Sequence, residues 1–428
     1  MTDMEASAGS PAEHRLLAGP WPGPSAPATD DLAIGPEAGV LSPGSELAQV
    51  ATTALAAGLR RVGILAWRDL DDPEAGGSEL HAHRVASSWA EAGLDVTMRT
   101  SAVSGAPALT TRHGYQVIRR SGRYGVFPRA MAEGFLGRRD LHGVVEVWNG
   151  VPFLTPLWCR RAHVAFIHHV HADMWAMTLP PNLARLGRLL ERRLAPPLYR
   201  RSPVVTLSES SRLEIVRMLR LPPARVRVVP PGVDGCFAPG PGRSPTPMVL
   251  SVGRLVPVKR FPMLVQALVA ARRRVGDLRA VIVGEGYARP ELEAAVAGAG
   301  AQGWIELRGH VDQDELVALY RQAWVLASAS KREGWGMSIS EAAACGTPAV
   351  VSRIAGHIDA VVDGVSGVLV DTADDMGGAL ASVLADRLWR ERLRRGAMAH
   401  VSGLQWSATA AGTLSVLLGE HRAARSRH

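Results

Sequence analysis

Residues 324–352 constrain the fold more than any other stretch. An apolar run over 324–327 reads as a buried strand. A loop follows, Lys331-Arg332-Glu333-Gly334-Trp335-Gly336-Met337, in which Gly334 and Gly336 permit a tight turn. Residues 338–345 form a short helix, stopped by Gly346 and Pro348, and 349–352 is the next strand. The loop's free N–H groups and the helix N-terminus converge on one spot that suits a phosphate.

Glu333 and Glu341 flank that spot, eight positions apart. Their charge does not serve an anion, but carboxylates accept paired hydrogen bonds from sugar and ribose hydroxyls. A phosphorylated sugar would use both features. Plainer readings stand beside this one: Ser338 with Glu341 fits a capping box, and Glu333 fits an ion pair with Lys331 or Arg332.

A chain of 428 residues suits two domains with ample core. No apolar run reaches the roughly 18–20 residues that span a bilayer, and the acidic opening Met-Thr-Asp-Met-Glu lacks the apolar region of a secretory signal. Cys159, Cys236 and Cys345 are far apart and lack metal spacing, which points to a reducing compartment and a cytoplasmic location. Residues 1–58 hold 1 basic and 7 acidic side chains, whereas 59–235 hold 25 and 15. That basic N-terminal half is either a solvated surface or one that faces an anionic membrane or acidic acceptor. Nucleic acid is not expected, because no basic–aromatic interleaving is present.

Residues 1–44 read as a Pro/Ala/Gly-rich disordered leader, with a possible helix over 46–59, and the whole of 1–58 is set apart from the fold. Strand 62–67 then leads through Asp69-Leu70-Asp71 to the diglycine turn Gly76-Gly77-Ser78-Glu79, with Ser78 capping a helix to Ala92. The D-x-D pattern is discounted as a metal site, because Mg²⁺ needs more oxygen ligands than this loop offers. Strand 163–167 delivers His168-His169-Val170-His171 to its C-terminal end, where open α/β sheets place ligands. Adjacent histidines on an extended segment point apart, so zinc is not expected; one of them bonding a sugar hydroxyl suits the site better. Residues 183–198 carry Leu183, Leu186, Leu189, Leu190 and Leu194 on one helical face, among several arginines. That face either packs on the sheet or rests on anionic lipid.

The Pro/Gly-rich segment 239–247 marks the domain boundary. The second half repeats the alternation: strand 248–252, the loop Gly253-Arg254-Leu255-Val256-Pro257-Val258-Lys259, helix 261–275, strand 280–283 and the turn Gly284-Glu285-Gly286. Arg254 and Lys259 are spaced to clamp a diphosphate. The expected fold class is α/β: an N-terminal domain over 59–235, a C-terminal domain over 236–405 and a last helix over 406–428, with two doubly wound Rossmann-like halves facing a crevice.

Taken in order, these motifs resemble glycosyltransferase family 4, the retaining enzymes of GT-B architecture. The resemblance rests on Gly76-Gly77-Ser78-Glu79, Pro231-Gly232-Val233-Asp234, Ser251-Val252-Gly253-Arg254 with Lys259, Gly284-Glu285-Gly286, and the two glutamates Glu333 and Glu341 around Gly334-Trp335-Gly336. It spans about 60–420. It implies a metal-independent transfer of a sugar, of hexosyltransferase type, from a nucleotide sugar to an acceptor hydroxyl, with the anomeric configuration retained. By resemblance, Arg254 and Lys259 hold the diphosphate, Glu341 takes the ribose, and Glu333 with Gly334, Gly336, Met337 and Ser338 holds the sugar and distal phosphate. Gly76, Gly77 and Gly253 approach the donor, His168 lies near the transferred sugar with His169 as its alternative, and the loop with Arg308 and Val311 lies beside the base. The last helix crosses back to the first domain. Two departures, Pro231 in place of a frequent Asn and Gly356-His357-Ile358-Asp359 in place of Gly-x-x-Glu, leave sugar and acceptor open. Two rival readings are weighed. A phosphorylase built on a cofactor lysine conflicts with a chain whose two lysines both sit in donor motifs, and an idle sugar-binding scaffold conflicts with an intact clamp. No cofactor is expected, and a lipid-linked molecule is one candidate acceptor.

Overall fold

The computed structural model of the chain describes residues 45–136 and 140–426. Among these, strands β1 (Arg61–Leu65), β2 (Asp95–Thr100), β3 (Leu109–Arg112), β4 (Tyr115–Arg119), β5 (Gly143–Val147), β6 (Ala162–Phe166), β7 (Val204–Thr206) and β8 (Val226–Val228) form one sheet, ordered β3-β4-β2-β1-β5-β6-β7-β8. Strands β9 (Met248–Val252), β10 (Arg279–Val283), β11 (Ile305–Gly309), β12 (Val325–Ser328), β13 (Ala349–Ser352) and β14 (Gly367–Val370) form a second, ordered β11-β10-β9-β12-β13-β14. Every pairing is parallel except β3 with β4. Their buried runs of Val, Ile and Leu suit strands covered by helices on both faces.

Strand order reverses between β1 and β5 in the first sheet and between β9 and β12 in the second. Such reversals open a crevice at the strands' carboxyl ends, where ligands bind in open α/β sheets. The loops after β1 and β6 face those after β9 and β12 across that crevice.

Residues 1–44, most of the stretch read as a leader, lie outside the described residues. Residues 45–58 belong to the fold instead. Ser45 caps helix Glu46–Ala56, and its Leu47, Ala51 and Ala54 are buried with Leu414 and Leu417 of helix Trp406–Arg425. Spacing of four and three puts those residues on one face, which is the signal of a packed helix. Helix Trp406–Arg425 packs on the first domain: its Ala410, Leu414 and Leu417 share a core with Val145, Val164 and Phe166 of the sheet, and Trp89 Nε1 of helix Gly77–Glu91 donates to the Ala410 carbonyl at 2.9 Å.

Strand β3 escapes sequence reading. It is a half-exposed edge strand, joined to β4 by a turn in which His113 and Gly114 both have positive φ, so it lacks a hydrophobic run. Residues 183–198 are likewise not the single leucine-faced helix expected from the spacing. The chain forms helix Pro181–Leu189, a π turn Leu190–Leu194 and a short helix Pro196–Tyr199. Its buried seam is Ala184, Gly187, Glu191, Ala195 and Tyr199, and its leucines do not pack on the sheet. The small residues win because close approach requires them: a Cβ on Gly187 would lie 2.6 Å from Trp175.

Candidate active site

The loop after β9 is shaped by the glycine turn after β10. A Cβ on Gly284 (φ +135°) would lie 2.1 Å from the Gly253 carbonyl, and one on Gly286 2.3 Å from that of Leu255. Leu255 N–H donates to the Glu285 carbonyl at 2.8 Å, locking the two loops together. Arg254 and Lys259 are thereby presented from a rigid base.

The diglycine turn meets them from the other side. Helix Gly77–Glu91 starts at Gly76, where Glu79 accepts from the Gly76 N–H at 3.0 Å. Ser78 therefore sits inside the helix, not at its cap, because the Glu79 carboxylate already satisfies the first turn. A Cβ on Gly76 would lie 2.9 Å from Arg254 Nε, and one on Gly77 3.2 Å from Met337 Sδ. The absence of a side chain at both glycines lets Arg254 and Met337 of the other domain pack directly against this turn. Arg254 Nη1 donates to the Glu74 carbonyl at 2.8 Å, as Arg68 Nη1 does at 2.5 Å.

The D-x-D carboxylates are taken by arginines. Arg119 Nε donates to Asp69 at 2.6 Å, Arg112 pairs with Asp71 at 2.5 Å, and His83 Nε2 lies 3.1 Å from Asp69. Burial alone would raise the Asp69 pKa, but His83, Arg112 and Arg119 outweigh it and hold the carboxyl well below its usual range. The network anchors the loop that carries Glu74, Gly76 and Gly77.

Glu333 accepts from Lys259 Nζ at 2.5 Å and from Ser330 Oγ at 2.8 Å. Burial raises its pKa, but Lys259 and His357 outweigh burial and keep it ionised. Its partner is thus the lysine 74 residues away, not Lys331; Arg332 instead pairs with Glu214 at 2.6 Å. Helix Met337–Ala344 begins at Gly336 (φ +105°) with no side-chain cap, so the Ser338–Glu341 capping box is not formed. Met337 and Ser338 open that helix at the cleft. Glu341 instead accepts from Tyr320 Oη at 2.7 Å. Burial pushes the Glu341 carboxyl up to about 7, with Tyr320 opposing.

His168 is buried, and its Nε2 lies 3.2 Å from His81 Nδ1. Burial lowers its pKa to about 4, so it is a neutral imidazole at pH 7. His168 Nδ1, His169 Nε2 and His171 Nδ1 have no hydrogen-bond partner among the described residues, which leaves three buried ring nitrogens at this strand end. His169 and His171 stack with ring centroids 5.0 Å apart.

One set of contacts carries no sequence motif. Ser208 Oγ and Ser211 Oγ, on the first domain, donate to the Gly334 carbonyl at 3.1 and 3.2 Å. Asp359 of the second domain accepts from the Glu209 N–H at 3.0 Å and from Ser210 Oγ, which itself accepts from the Gly356 N–H at 2.7 Å. From the sequence, Ser208 reads only as the cap of a helix to Leu219. Asp359 stands where the family pattern has Glu, and the shorter side chain reaches the start of the partner domain's helix.

Arg308 and Val311 do not join the cluster through their side chains. Arg308 pairs with Glu306 and with Glu315 at 2.7 Å, and Val311 is buried in the second domain's core. Acidic neighbours hold the arginine at the surface, and apolar packing holds the valine inside. A further D-x-D pattern in the sequence, Asp312-Gln313-Asp314, starts a helix, Asp312 accepting from the Glu315 N–H at 2.7 Å.

Two family models match the chain: "Glycosyltransferase Family 4" over 75–235 and "Glycosyl transferases group 1" over 239–400. A D-inositol 3-phosphate glycosyltransferase of Xylanimonas cellulosilytica is 30% identical over 399 residues, 81% of this chain and 93% of that protein. Among solved structures, sucrose-phosphate synthase from Thermosynechococcus elongatus aligns with a TM-score of 0.70 at 20% identity, covering 82% of this chain and 96% of its own. Anabaena HepE, in complex with UDP and glucose, aligns at 0.66 and 17%, covering 83% and 98%. With both halves matched in order and a relative aligned along nearly its whole length, the chain belongs to glycosyltransferase family 4 and is a glycosyltransferase of GT-B architecture.

Proposed function

We propose that the enzyme transfers a sugar from a nucleoside-diphosphate sugar to an acceptor hydroxyl, with retention of configuration and without a metal. The convergence of Arg254, Lys259 and the N-terminus of Met337–Ala344 from one domain with Gly76 and Gly77 from the other, at one spot in the crevice, carries this reading. Cleaving a glycosyl–phosphate bond builds negative charge on the diphosphate, and cations and a helix N-terminus meet it there. Arg254 exchanges the Glu74 carbonyl for a phosphate oxygen, and Lys259 bridges Glu333 to the diphosphate. Glu341 accepts from the ribose hydroxyls. Glu333 holds the sugar's hydroxyls, since a carboxylate tied to Lys259 and Ser330 is a poor nucleophile for a covalent intermediate. The neutral His168 bonds a sugar hydroxyl. HepE's bound UDP and glucose support a nucleotide-sugar donor, and the Xylanimonas relative's name puts a phosphorylated inositol among the acceptors to try.

A panel of nucleotide sugars with EDTA present, read by thermal shift and slow donor hydrolysis, tests the reading. One donor is expected to stabilise the protein and turn over, Glu341→Ala to lose the stabilisation, and Lys259→Ala to lose chiefly the turnover. No shift with any donor or free nucleotide overturns it.

The Glu341 carboxyl predicts a pH dependence. Its folded pKa of about 7 lies above the ordinary 4.5, so free-enzyme stability from this group is present at low pH and lost as pH rises through 7. A ribose diol donates to the ionised form, so nucleotide affinity moves the other way. UDP titrations are expected to tighten about tenfold between pH about 6 and about 8, and Glu341→Gln to flatten the profile.

A further inference from the structure

Helix Pro181–Leu189, the π turn Leu190–Leu194 and helix Pro196–Tyr199 form one surface strip on the first domain. Leu183, Leu186, Leu189 and Leu194 are 52, 58, 48 and 55% exposed, and Leu198 adjoins them. Six arginines (Arg185, Arg188, Arg192, Arg193, Arg200 and Arg201) share the strip with a single carboxylate, Glu191. That carboxylate is turned inward: it accepts from the His171 N–H at 2.7 Å, the Ala172 N–H at 3.1 Å and Trp175 Nε1 at 2.9 Å. The outer face is therefore apolar and uniformly cationic.

We propose that this strip docks the enzyme on an anionic lipid bilayer, leucines in the interface and arginines among the headgroups. Exposed leucines in a row are costly in water and are retained where something covers them. A second copy of this chain is a poor cover, because a two-fold contact sets arginine against arginine with Glu191 unavailable. A negatively charged bilayer satisfies both halves of the strip at once. The same segment reaches the active site through Glu191, which fixes the loop following His168 on its inner side. Docking thus holds the crevice at a defined height over the membrane, where a lipid-linked hydroxyl would be presented. The inference stands apart from the donor chemistry, so a failed donor panel leaves it intact.

Vesicle co-sedimentation of the full chain tests it. Binding is expected on phosphatidylcholine vesicles containing phosphatidylglycerol, not on phosphatidylcholine alone, and it falls with added salt. Two variants, Leu183→Asn/Leu186→Asn/Leu194→Asn and Arg192→Gln/Arg193→Gln, are each expected to weaken binding by about tenfold or more at unchanged melting temperature. No binding to the anionic vesicles overturns the proposal, as does binding that survives the leucine substitutions. Sedimentation showing a wild-type dimer that the leucine substitutions dissociate also overturns it, assigning the face to a second copy.

Discussion

Lys259→Ala is expected to lower kcat by about a hundred- to a thousandfold while the protein still folds. On the proposed reading the lysine meets charge that develops only as the glycosyl–phosphate bond breaks, so the loss falls on kcat more than on donor affinity. It also leaves Glu333 without its 2.5 Å cation. That carboxyl, now subject to burial with only His357 and Ser330 opposing, rises in pKa, and a modest drop in melting temperature accompanies the rate loss. Lys259→Ala/Glu333→Gln is then expected to recover melting temperature but not rate. Steady-state kinetics and thermal melts of the two variants check this, and recovery of both together would contradict the assigned role.

Gly334→Ala is the second large effect. A Cβ there would lie 2.4 Å from the His168 backbone carbonyl, which belongs to the other domain. Backbone cannot yield as a flexible side chain does, so the added methyl must hold the domains apart. Each domain keeps its own core, and global stability changes little. The donor contacts, made from both sides of the crevice, lose their alignment. Misplacement of about an ångström costs about a hundredfold in rate. Activity is expected to fall by about that factor, with small-angle scattering showing a larger radius of gyration. Normal activity at unchanged radius would contradict a closed, two-domain site.

The parts of the site legible in the sequence are those set by local backbone geometry. Gly76-Gly77, Gly253-Arg254, Gly284-Glu285-Gly286 and Gly334-Trp335-Gly336 announce turns at strand ends, and strand–helix alternation places such turns along one crevice. The Lys259–Glu333 and Tyr320–Glu341 pairs are not local: they join residues 74 and 21 positions apart, which no spacing rule relates. The Asp359–Ser210 latch spans two domains and depends on how they close. Edge strand β3 is short and half-exposed, so it carries no hydrophobic pattern to read. The Leu183 helix misleads for a different reason. A leucine face normally marks the buried side, but here Ala184, Gly187 and Ala195 take that side, Gly187 lying directly against Trp175.

The stereochemistry of donor hydrolysis distinguishes retention from inversion. With the donor identified, proton NMR in the presence of EDTA reports which anomer of the free sugar appears first, before mutarotation. A front-face departure guided by Arg254 and Lys259, with Glu333 tied to Lys259, predicts that the donor's own anomer is released first and that EDTA does not slow it. Release of the opposite anomer, or hydrolysis that stops in EDTA, would contradict the account.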